Sequence, residues 1–242
     1  MARPTDSILN RDRMWLGLGV AVATIAAFMI FPNLDLALSG LFYQPGRGFA
    51  AEADPTIQTV RYFWRLSAWV VVAGAGTLLV ASALIGQRRI LGIGRAALVF
   101  FLLLQGLGPG LLVNAVLKDN WGRARPSQVV EFGGTKRHDP PLLPTDQCAR
   151  NCSFVGGEAA YAFSFMALGF LPGPHRRRRA WFAFGVTFGA AVSAVRIAQG
   201  GHFASDCLMA AMLVLLLGWG LYALLFRTPL PMGVARWLGI PR

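Results

Sequence analysis

The chain has 242 residues, of which 55% are hydrophobic and only 14% are charged. A soluble domain carries about 25% charged residues, so this composition excludes an ordinary soluble protein, and it also excludes a disordered or collagen-like chain. The net charge of +12 alone would suit a nucleic-acid binder, but the hydrophobic share favours a membrane with its anionic headgroups. We therefore predict an all-α integral membrane protein, a single domain over residues 1–242 with no nucleic-acid partner.

Six segments are long and apolar enough to cross a bilayer, whose hydrocarbon core of about 30 Å requires roughly 20 residues per helix. They lie at about residues 14–32, 62–85, 96–117, 158–172, 180–198 and 206–226. The first follows several arginines, as a signal sequence would, but it is longer than a usual signal core and no small-residue cleavage motif follows it. We expect it to remain as an anchor within one six-helix bundle.

The basic residues are divided unequally between the two sides of this predicted bundle. The side with both termini carries 13 of the 23 Lys and Arg residues, but only Asp6 and Asp12 among the 11 acidic residues. Because positively charged loops stay in the cytoplasm, both termini are predicted to be cytoplasmic. The segments 33–61, 118–157 and 199–205 then face outward, which is the periplasm for a bacterial inner membrane.

Cations cluster directly after the third predicted span. Lys118, Arg123 and Arg125 follow one another there, and Pro126 ends any helix. Ionisable residues at membrane depth are costly and are candidates for function. Snorkelling to the headgroups explains one or two such residues, but it explains poorly why polar residues recur after the fifth span.

A histidine and an aspartate follow the fifth predicted span. His202 and Asp206 are four residues apart and share a helix face if the last span begins near Gly201. A carboxylate there can fix the tautomer of the imidazole and leave its other nitrogen free as a nucleophile. A lone His–Asp pair is commonly structural, but here Arg196 lies six residues before His202. The combination favours a functional site.

Several cations beside a His–Asp pair are typical of a phosphate site. Guanidinium groups match phosphoryl oxygens, and phosphoryl transfer depends mainly on positioning and charge stabilisation. The sequence has neither a Walker loop nor an acidic metal cluster. We therefore predict transfer through a phosphohistidine, with no metal and no other cofactor.

Two of these motifs resemble those of the type 2 phosphatidic acid phosphatase superfamily. Lys118, six residues, then Arg125 is similar to its first motif, and Arg196, five residues, His202, three residues, Asp206 is similar to its third. The membrane branch of that family also has six spans. The resemblance implies that Lys118, Arg125 and Arg196 bind phosphate. It also implies that His202 is the nucleophile and that Asp206 orients it.

The chain departs from the family at the second motif. The family has Pro-Ser-Gly-His where this sequence has Val155-Gly-Gly-Glu158. Gly157 keeps the glycine, whose N–H can approach a phosphate oxygen, but Gly156 lacks the serine hydroxyl. Glu158 takes the place of the histidine that protonates the leaving group. A glutamic acid can serve if its surroundings keep it protonated, whereas three nearby cations favour its ionised form.

The 118–157 loop is expected to carry part of the active site and to cover it or select the headgroup. His138, the other outward-facing histidine, is an alternative general acid or an ordinary loop residue. Cys148 and Cys152 lie in an oxidising compartment, which favours a disulfide between them, and two thiols are too few for a zinc site.

These features predict a phosphatase for a membrane lipid phosphate, or a phosphotransferase that passes the phosphoryl group to a second lipid. The family resemblance implies undecaprenyl diphosphate, phosphatidic acid, phosphatidylglycerol phosphate or lipid A phosphate as substrate. A rival hypothesis, motivated by Gly156 and Glu158, is a protein that only binds phospholipid or polyprenyl phosphate headgroups.

Overall fold

The computed structural model describes residues 11–240; Arg3, Asp6 and Arg242, which entered the charge comparison, lie outside the described residues. The described chain is mostly helical, as predicted, with two short antiparallel hairpins. Its α-helices are α1 (Arg11–Ile30), α2 (Asn33–Gly40), α3 (Ala50–Ala53), α4 (Pro55–Leu84), α5 (Arg95–Gln105), α6 (Lys118–Asn120), α7 (Gly157–Ser164), α8 (His175–Ala198), α9 (Ala204–Phe226) and α10 (Met232–Leu238). The hairpins are β1 (Tyr43–Gln44) with β2 (Gly48–Phe49), and β3 (Arg89–Ile90) with β4 (Ile93–Gly94).

Among the residues that the structure describes, four helical segments are long and apolar enough to cross a membrane. A fifth crossing results if α1 and α2 count as one bent span. The four segments are Pro55–Leu84, Arg95–Asn120, His175–Ala198 and Ala204–Phe226. They coincide with the second, third, fifth and sixth predicted spans, whereas the first and fourth predicted spans take other forms.

The first predicted span ends at a sharp bend. α1 stops at Ile30, and α2 starts at Asn33 at an angle of 92° to it. Pro32 lies at the break and cannot donate the backbone hydrogen bond that would continue the helix. α2 packs against α8 and α9, and its Asp35 and Ser39 are fully buried. The bend therefore brings a carboxylate into the interior of the bundle.

The third span changes its helix type halfway. α5 ends at Gln105, and Gly106–Leu117 is π-helical before α6 begins. Pro109 lies inside this segment, where it removes an N–H from the regular ladder. Asn114 Nδ2 donates to the Pro109 carbonyl over 2.6 Å. Lys118 follows this segment directly, so the wider π-helix determines the position of that lysine at the end of the span.

The fourth predicted span is a short helix enclosed by protein. α7 continues as a 3₁₀ turn over Phe165–Phe170, and the two together extend only about 24 Å. α8 crosses this segment closely, because a Cβ on Gly189 would lie 2.2 Å from the Phe163 ring. Most of these residues are buried. The segment is apolar because it lies in the protein core, and hydropathy alone does not separate that case from a lipid-facing helix.

One end of the bundle brings the sequence motifs together. The ends of α6 and α8 meet the starts of α7 and α9 there, and the loop 121–156 covers them. Cys152 N donates to the Lys118 carbonyl and Ser153 N donates to the Arg123 carbonyl, both over 2.9 Å. A disulfide joins Cys148 to Cys152. The second half of the loop is thus bonded to the first motif.

Candidate active site

His202 lies in the short turn between α8 and α9 and is almost fully buried. The turn begins at Gly200, whose φ of +61° is a left-handed conformation that favours glycine. A Cβ on Gly201 would lie 2.2 Å from Arg196 Nη2. Because neither position has a side chain, the Arg196 guanidinium packs directly against the turn that carries the histidine.

The His202 ring is oriented by a backbone carbonyl. Nδ1 lies 2.7 Å from the Ser153 carbonyl oxygen and 3.9 Å from Asp206 Oδ2. A carbonyl oxygen only accepts, so Nδ1 carries the proton and Nε2 keeps its lone pair. The pKa of His202 is lowered to about 4, chiefly by burial; the charges of Lys118 and Arg196 act in the same direction, and Asp206 opposes them. The imidazole is therefore neutral at pH 7, as a nucleophile must be.

Asp206 contacts the histidine less directly than its spacing suggested. α9 begins at Ala204 rather than near Gly201, so His202 precedes the helix and the i, i+4 geometry does not apply. Asp206 Oδ2 accepts hydrogen bonds from Ser153 Oγ at 2.5 Å and from Phe203 N at 2.9 Å. Ser153 therefore links the two residues, because its hydroxyl binds Asp206 and its carbonyl binds His202.

A buried ion pair network lies behind Asp206. Arg123 Nη1 donates to Asp206 Oδ1 over 2.5 Å, and Nη2 donates to Asp35 Oδ2 over 2.8 Å, with all three side chains inaccessible to solvent. Ser205 N and Oγ both donate to Asp35. Arg123 also stacks on the Phe203 ring at 4.4 Å. The network fixes α2, the loop and the start of α9 relative to one another.

Two of the predicted phosphate-binding cations converge on one loop residue. Arg125 Nη2 donates to Asn151 at its carbonyl oxygen (2.8 Å) and at Oδ1 (3.1 Å), and Lys118 Nζ donates to the same Oδ1 over 3.4 Å. Asn151 belongs to the disulfide-closed turn between Cys148 and Cys152. One oxygen thus binds both cations, as an oxygen of a bound phosphate would.

Arg196 supplies the third cation and carries a free donor. Its Nη1 donates to Gln199 Oε1 over 2.6 Å. Its Nε is buried and has no hydrogen-bond partner within residues 11–240. A buried N–H without an acceptor is costly, and a phosphate oxygen would satisfy it.

Glu158 is held by two residues of α4. Arg61 Nη2 donates to Oε1 over 2.6 Å, its Nε contacts both carboxylate oxygens, and Trp64 Nε1 donates to Oε2 over 2.8 Å. A carboxylate that accepts four hydrogen bonds, three of them from a guanidinium, is stabilised in its ionised form. A general acid has to carry a proton, so this arrangement does not favour the expected role of Glu158.

The second motif approaches the cations through its glycines. A Cβ on Gly157 would lie 2.5 Å from Asn114 Oδ1 and 3.4 Å from Lys118 Cε. Because Gly157 has no side chain, the start of α7 can pack closely against Asn114, beside Lys118. The neighbouring Gly156 packs against Cys207 and donates its N–H to the Asp206 carbonyl over 3.3 Å.

His138 belongs to the buried network rather than to the cation cluster. Its ring packs edge-on against Phe203, and its Nε2 lies 3.4 Å from Arg123 Nη2. Within the described part of the chain, no group of three or more His, Cys, Asp or Glu side chains is placed to hold a metal ion.

Comparison with known proteins places this site in a family. The model of the PAP2 superfamily matches residues 94–229, which include every candidate site residue from Lys118 to Asp206. A lipid A 4'-phosphatase of Francisella tularensis subsp. novicida is 34% identical over 225 residues, covering 90% of this chain and 98% of that protein. A lipid A 4'-phosphatase of Rhizobium etli is 32% identical over 204 residues, covering 76% of each chain. A third, from Rhizobium leguminosarum, is 40% identical over 104 residues, or 43% of this chain and 44% of that protein. No solved structure matches significantly.

Proposed function

Because the chain belongs to the PAP2 superfamily, as a membrane lipid phosphatase that hydrolyses phosphoric monoesters, we propose that it acts through a phosphohistidine on His202. The observation that carries this proposal is the pairing of His202 Nδ1 with the Ser153 carbonyl, which leaves Nε2 unprotonated on a ring that lies within the electrostatic influence of Lys118 and Arg196. The rival hypothesis of a protein that only binds headgroups requires no such nucleophile.

The reaction proceeds in two displacements. In the first, the Nε2 lone pair of His202 forms a bond to phosphorus, and the bond from phosphorus to the lipid oxygen breaks. Lys118, Arg125 and Arg196 bind the phosphoryl oxygens, where they stabilise the charge of the transition state. In the second, water attacks phosphorus, the N–P bond breaks, and inorganic phosphate leaves with His202 restored.

Asp206 supports this chemistry through Ser153. The first displacement puts positive charge on the imidazole, whose Nδ1–H still donates to the Ser153 carbonyl. Asp206 accepts the Ser153 hydroxyl and lies 3.9 Å from Nδ1, so its negative charge stabilises the phosphorylated ring. Arg123 holds Asp206 in this position.

Glu158 acts as a positioning residue for Arg61 in this proposal. Burial is the largest cause that lowers the pKa of Arg125, and the positive charge of Arg61 is the second largest. Arg61 therefore lies close to Arg125. The Glu158 carboxylate offsets that repulsion and directs Arg61 towards the phosphate-binding cations. Because Glu158 is ionised in this pairing, water supplies the proton of the leaving group.

Glu158→Gln distinguishes this role from general acid catalysis. We expect kcat/KM to fall about tenfold, mainly through KM, for a lipid phosphate and for nitrophenyl phosphate alike. Loss of a general acid would instead cost about 10²–10⁴-fold with the lipid and would spare the nitrophenyl ester, whose leaving group needs no proton. Arg61→Gln should give a similar loss, and the double variant little more than either single variant.

The substrate in this proposal is the 4'-phosphate monoester of lipid A. Of the four lipids suggested by the sequence, lipid A is supported by the relatives that align over most of this chain, which are lipid A 4'-phosphatases. We place the enzyme in a bacterial inner membrane with six passes, counting α1 as the first and the enclosed α7 with its 3₁₀ turn as the fourth, both termini in the cytoplasm and the site at the periplasmic face. The unequal distribution of arginines between the two sides supports this orientation.

Phosphate release by the purified protein tests the substrate and the absence of a metal requirement together. With lipid A, phosphatidic acid, phosphatidylglycerol phosphate and undecaprenyl diphosphate as substrates, we expect the highest kcat/KM for lipid A. We also expect EDTA to leave the rate unchanged. Activity that requires a second lipid as acceptor would identify a phosphotransferase, and binding without turnover of any lipid would favour the headgroup-binding hypothesis.

A further inference from the structure

Asn151 lies in the outer loop, in the turn that the Cys148–Cys152 disulfide closes. Its φ of +51° is left-handed, a conformation that residues with a side chain adopt rarely and that asparagine tolerates better than most. Its N–H donates to Asp119 Oδ1 over 3.0 Å, and the N–H of Cys152 donates to the Lys118 carbonyl. The turn is therefore bonded to α6, the short helix that begins with Lys118.

The Asn151 side chain does more than complete this turn. Asparagine is common at left-handed positions, which accounts for its backbone but not for the contacts of its amide. Its Oδ1 accepts from Lys118 Nζ and from Arg125 Nη2, and its carbonyl oxygen accepts from the same Nη2. Lys118 is 33 residues away in the chain and Arg125 is 26 residues away. One residue of a distant turn thus joins the two cations.

A shared acceptor has a physical purpose between two cations. Lys118 and Arg125 repel each other, and a hydrogen-bond acceptor between charged donors offsets part of that repulsion. A carboxylate at this place would hold the cations too, but it would neutralise them and repel a phosphate. The neutral amide of Asn151 leaves the positive charge of both residues available to an anion.

Asn151 also leaves most donors of the two cations for a ligand. A guanidinium has five N–H donors and a lysine ammonium has three. The contacts of Asn151 use Nη2 of Arg125 and one N–H of Lys118. Nε and Nη1 of the arginine and two donors of the lysine are not used by these contacts. A phosphate can therefore bind both cations while Asn151 stays in place.

We propose that Asn151 is a positioning residue for Lys118 and Arg125, and that the Cys148–Cys152 disulfide acts through it by holding the turn closed. This inference rests on the proposed function, in which the two cations bind phosphoryl oxygens. It adds that full activity requires an oxidising compartment. Dithiothreitol, which supplies two electrons and two protons and becomes a cyclic disulfide, converts the S–S bond into two thiols. The opened turn then no longer holds Asn151 in its left-handed conformation.

Asn151→Gly tests the side chain without straining the turn, because glycine adopts a positive φ freely and keeps the carbonyl that binds Arg125. We expect kcat/KM for lipid A to fall about tenfold, mainly through KM, as for the loss of one acceptor of charged donors. Asn151→Asp tolerates the same φ and keeps an acceptor, yet it should lose at least as much, since its charge repels phosphate. Ala149→Gly is the matched control in the same turn, because Ala149 is exposed, and it should keep the wild-type KM.

Reduction distinguishes a disulfide that acts through Asn151 from one that only stabilises the loop. Dithiothreitol should lower kcat/KM of wild type about tenfold but that of Asn151→Gly by less than about threefold, because the contact is already lost. Cys148→Ser/Cys152→Ser should equal reduced wild type, with or without the reductant. An equal loss in wild type and Asn151→Gly would overturn the link between the disulfide and Asn151. Wild-type activity in Asn151→Asp would show that the residue only completes a turn.

Binding of inorganic phosphate separates failure of this inference from failure of the proposed function, since it involves no lipid. The dissociation constant should be about tenfold higher for Asn151→Gly than for wild type or Ala149→Gly. An equal value would mean that Asn151 does not position the cations, and a lower value that it occupies the place of the phosphate; either would overturn the proposal. Wild type that binds phosphate but releases none from lipid A would refute the proposed function alone.

Discussion

Replacing His202 with alanine should lower phosphate release from lipid A by about 10³-fold or more, because the variant lacks the atom that we propose attacks phosphorus. The loss should appear in kcat rather than in KM, since the three cations that we propose bind the phosphate remain. Initial rates at saturating lipid measure the effect.

The alanine variant also leaves a small void, because His202 is almost fully buried. His202→Gln, which keeps most of the side-chain volume, should be equally inactive and should unfold at the temperature of the wild type. His175→Ala is the matched control, because His175 is exposed at the start of α8. A His202 variant that retains more than about a tenth of wild-type kcat would exclude the phosphohistidine.

Replacing Arg123 with methionine should have the largest effect on stability. Arg123 is inaccessible to solvent and pairs with Asp35 and Asp206, so its removal leaves two buried carboxylates without a counterion. Breaking a buried ion pair in this way costs about 3–5 kcal/mol of unfolding free energy. Denaturant titration of the purified protein in detergent measures that change, and kcat should fall as well, because Asp206 loses its support.

Two comparisons test whether the missing positive charge causes the loss of stability. Arg150→Met removes an ion pair with Asp119 whose side chains are 84% and 32% exposed, and it should change the unfolding free energy only slightly. Adding Asp35→Asn to Arg123→Met removes one of the unpaired charges and should recover part of the lost stability. If Arg123→Met were no more destabilising than Arg150→Met, the buried network would not be a major source of stability.

The motif residues could be proposed from the sequence because they lie close together in the chain. Lys118 and Arg125 share one segment, and Arg196, His202 and Asp206 share another, so their spacing and the family resemblance predicted them as candidates. The contacts among them were less predictable. The prediction of a direct His202–Asp206 contact assumed a helix that starts near Gly201. In the structure α9 starts at Ala204, and Ser153 lies between the two side chains.

The supporting residues come from distant parts of the chain. Asp35 is 88 residues from Arg123, and Arg61 is 97 residues from Glu158, so only the packing of α2 and α4 against the bundle brings them to the site. In the sequence, each of these supporting residues stands out only as an isolated ionisable residue in or beside an apolar segment. That signal marks a candidate for function but does not identify its partner.

Hydropathy predicted the membrane-crossing segments only where the helices face lipid. The segments from Pro55, Arg95, His175 and Ala204 match four predicted spans. The bend at Pro32 and the enclosure of α7 by α8 and α9 depend on tertiary packing, which an average over hydrophobic residues does not detect.

Trapping the phosphorylated enzyme is the most direct test of the central claim. Wild-type protein is mixed with lipid A labelled with ³²P at the 4'-phosphate, quenched in base within milliseconds to seconds, and digested with trypsin. A phosphohistidine is stable in base and lost in acid. We predict base-stable, acid-labile label in the peptide of residues 197–227, in which His202 is the only histidine, and no label in His202→Ala. Label in a different peptide, or phosphate release with no labelled peptide at any quench time, would contradict the phosphohistidine mechanism.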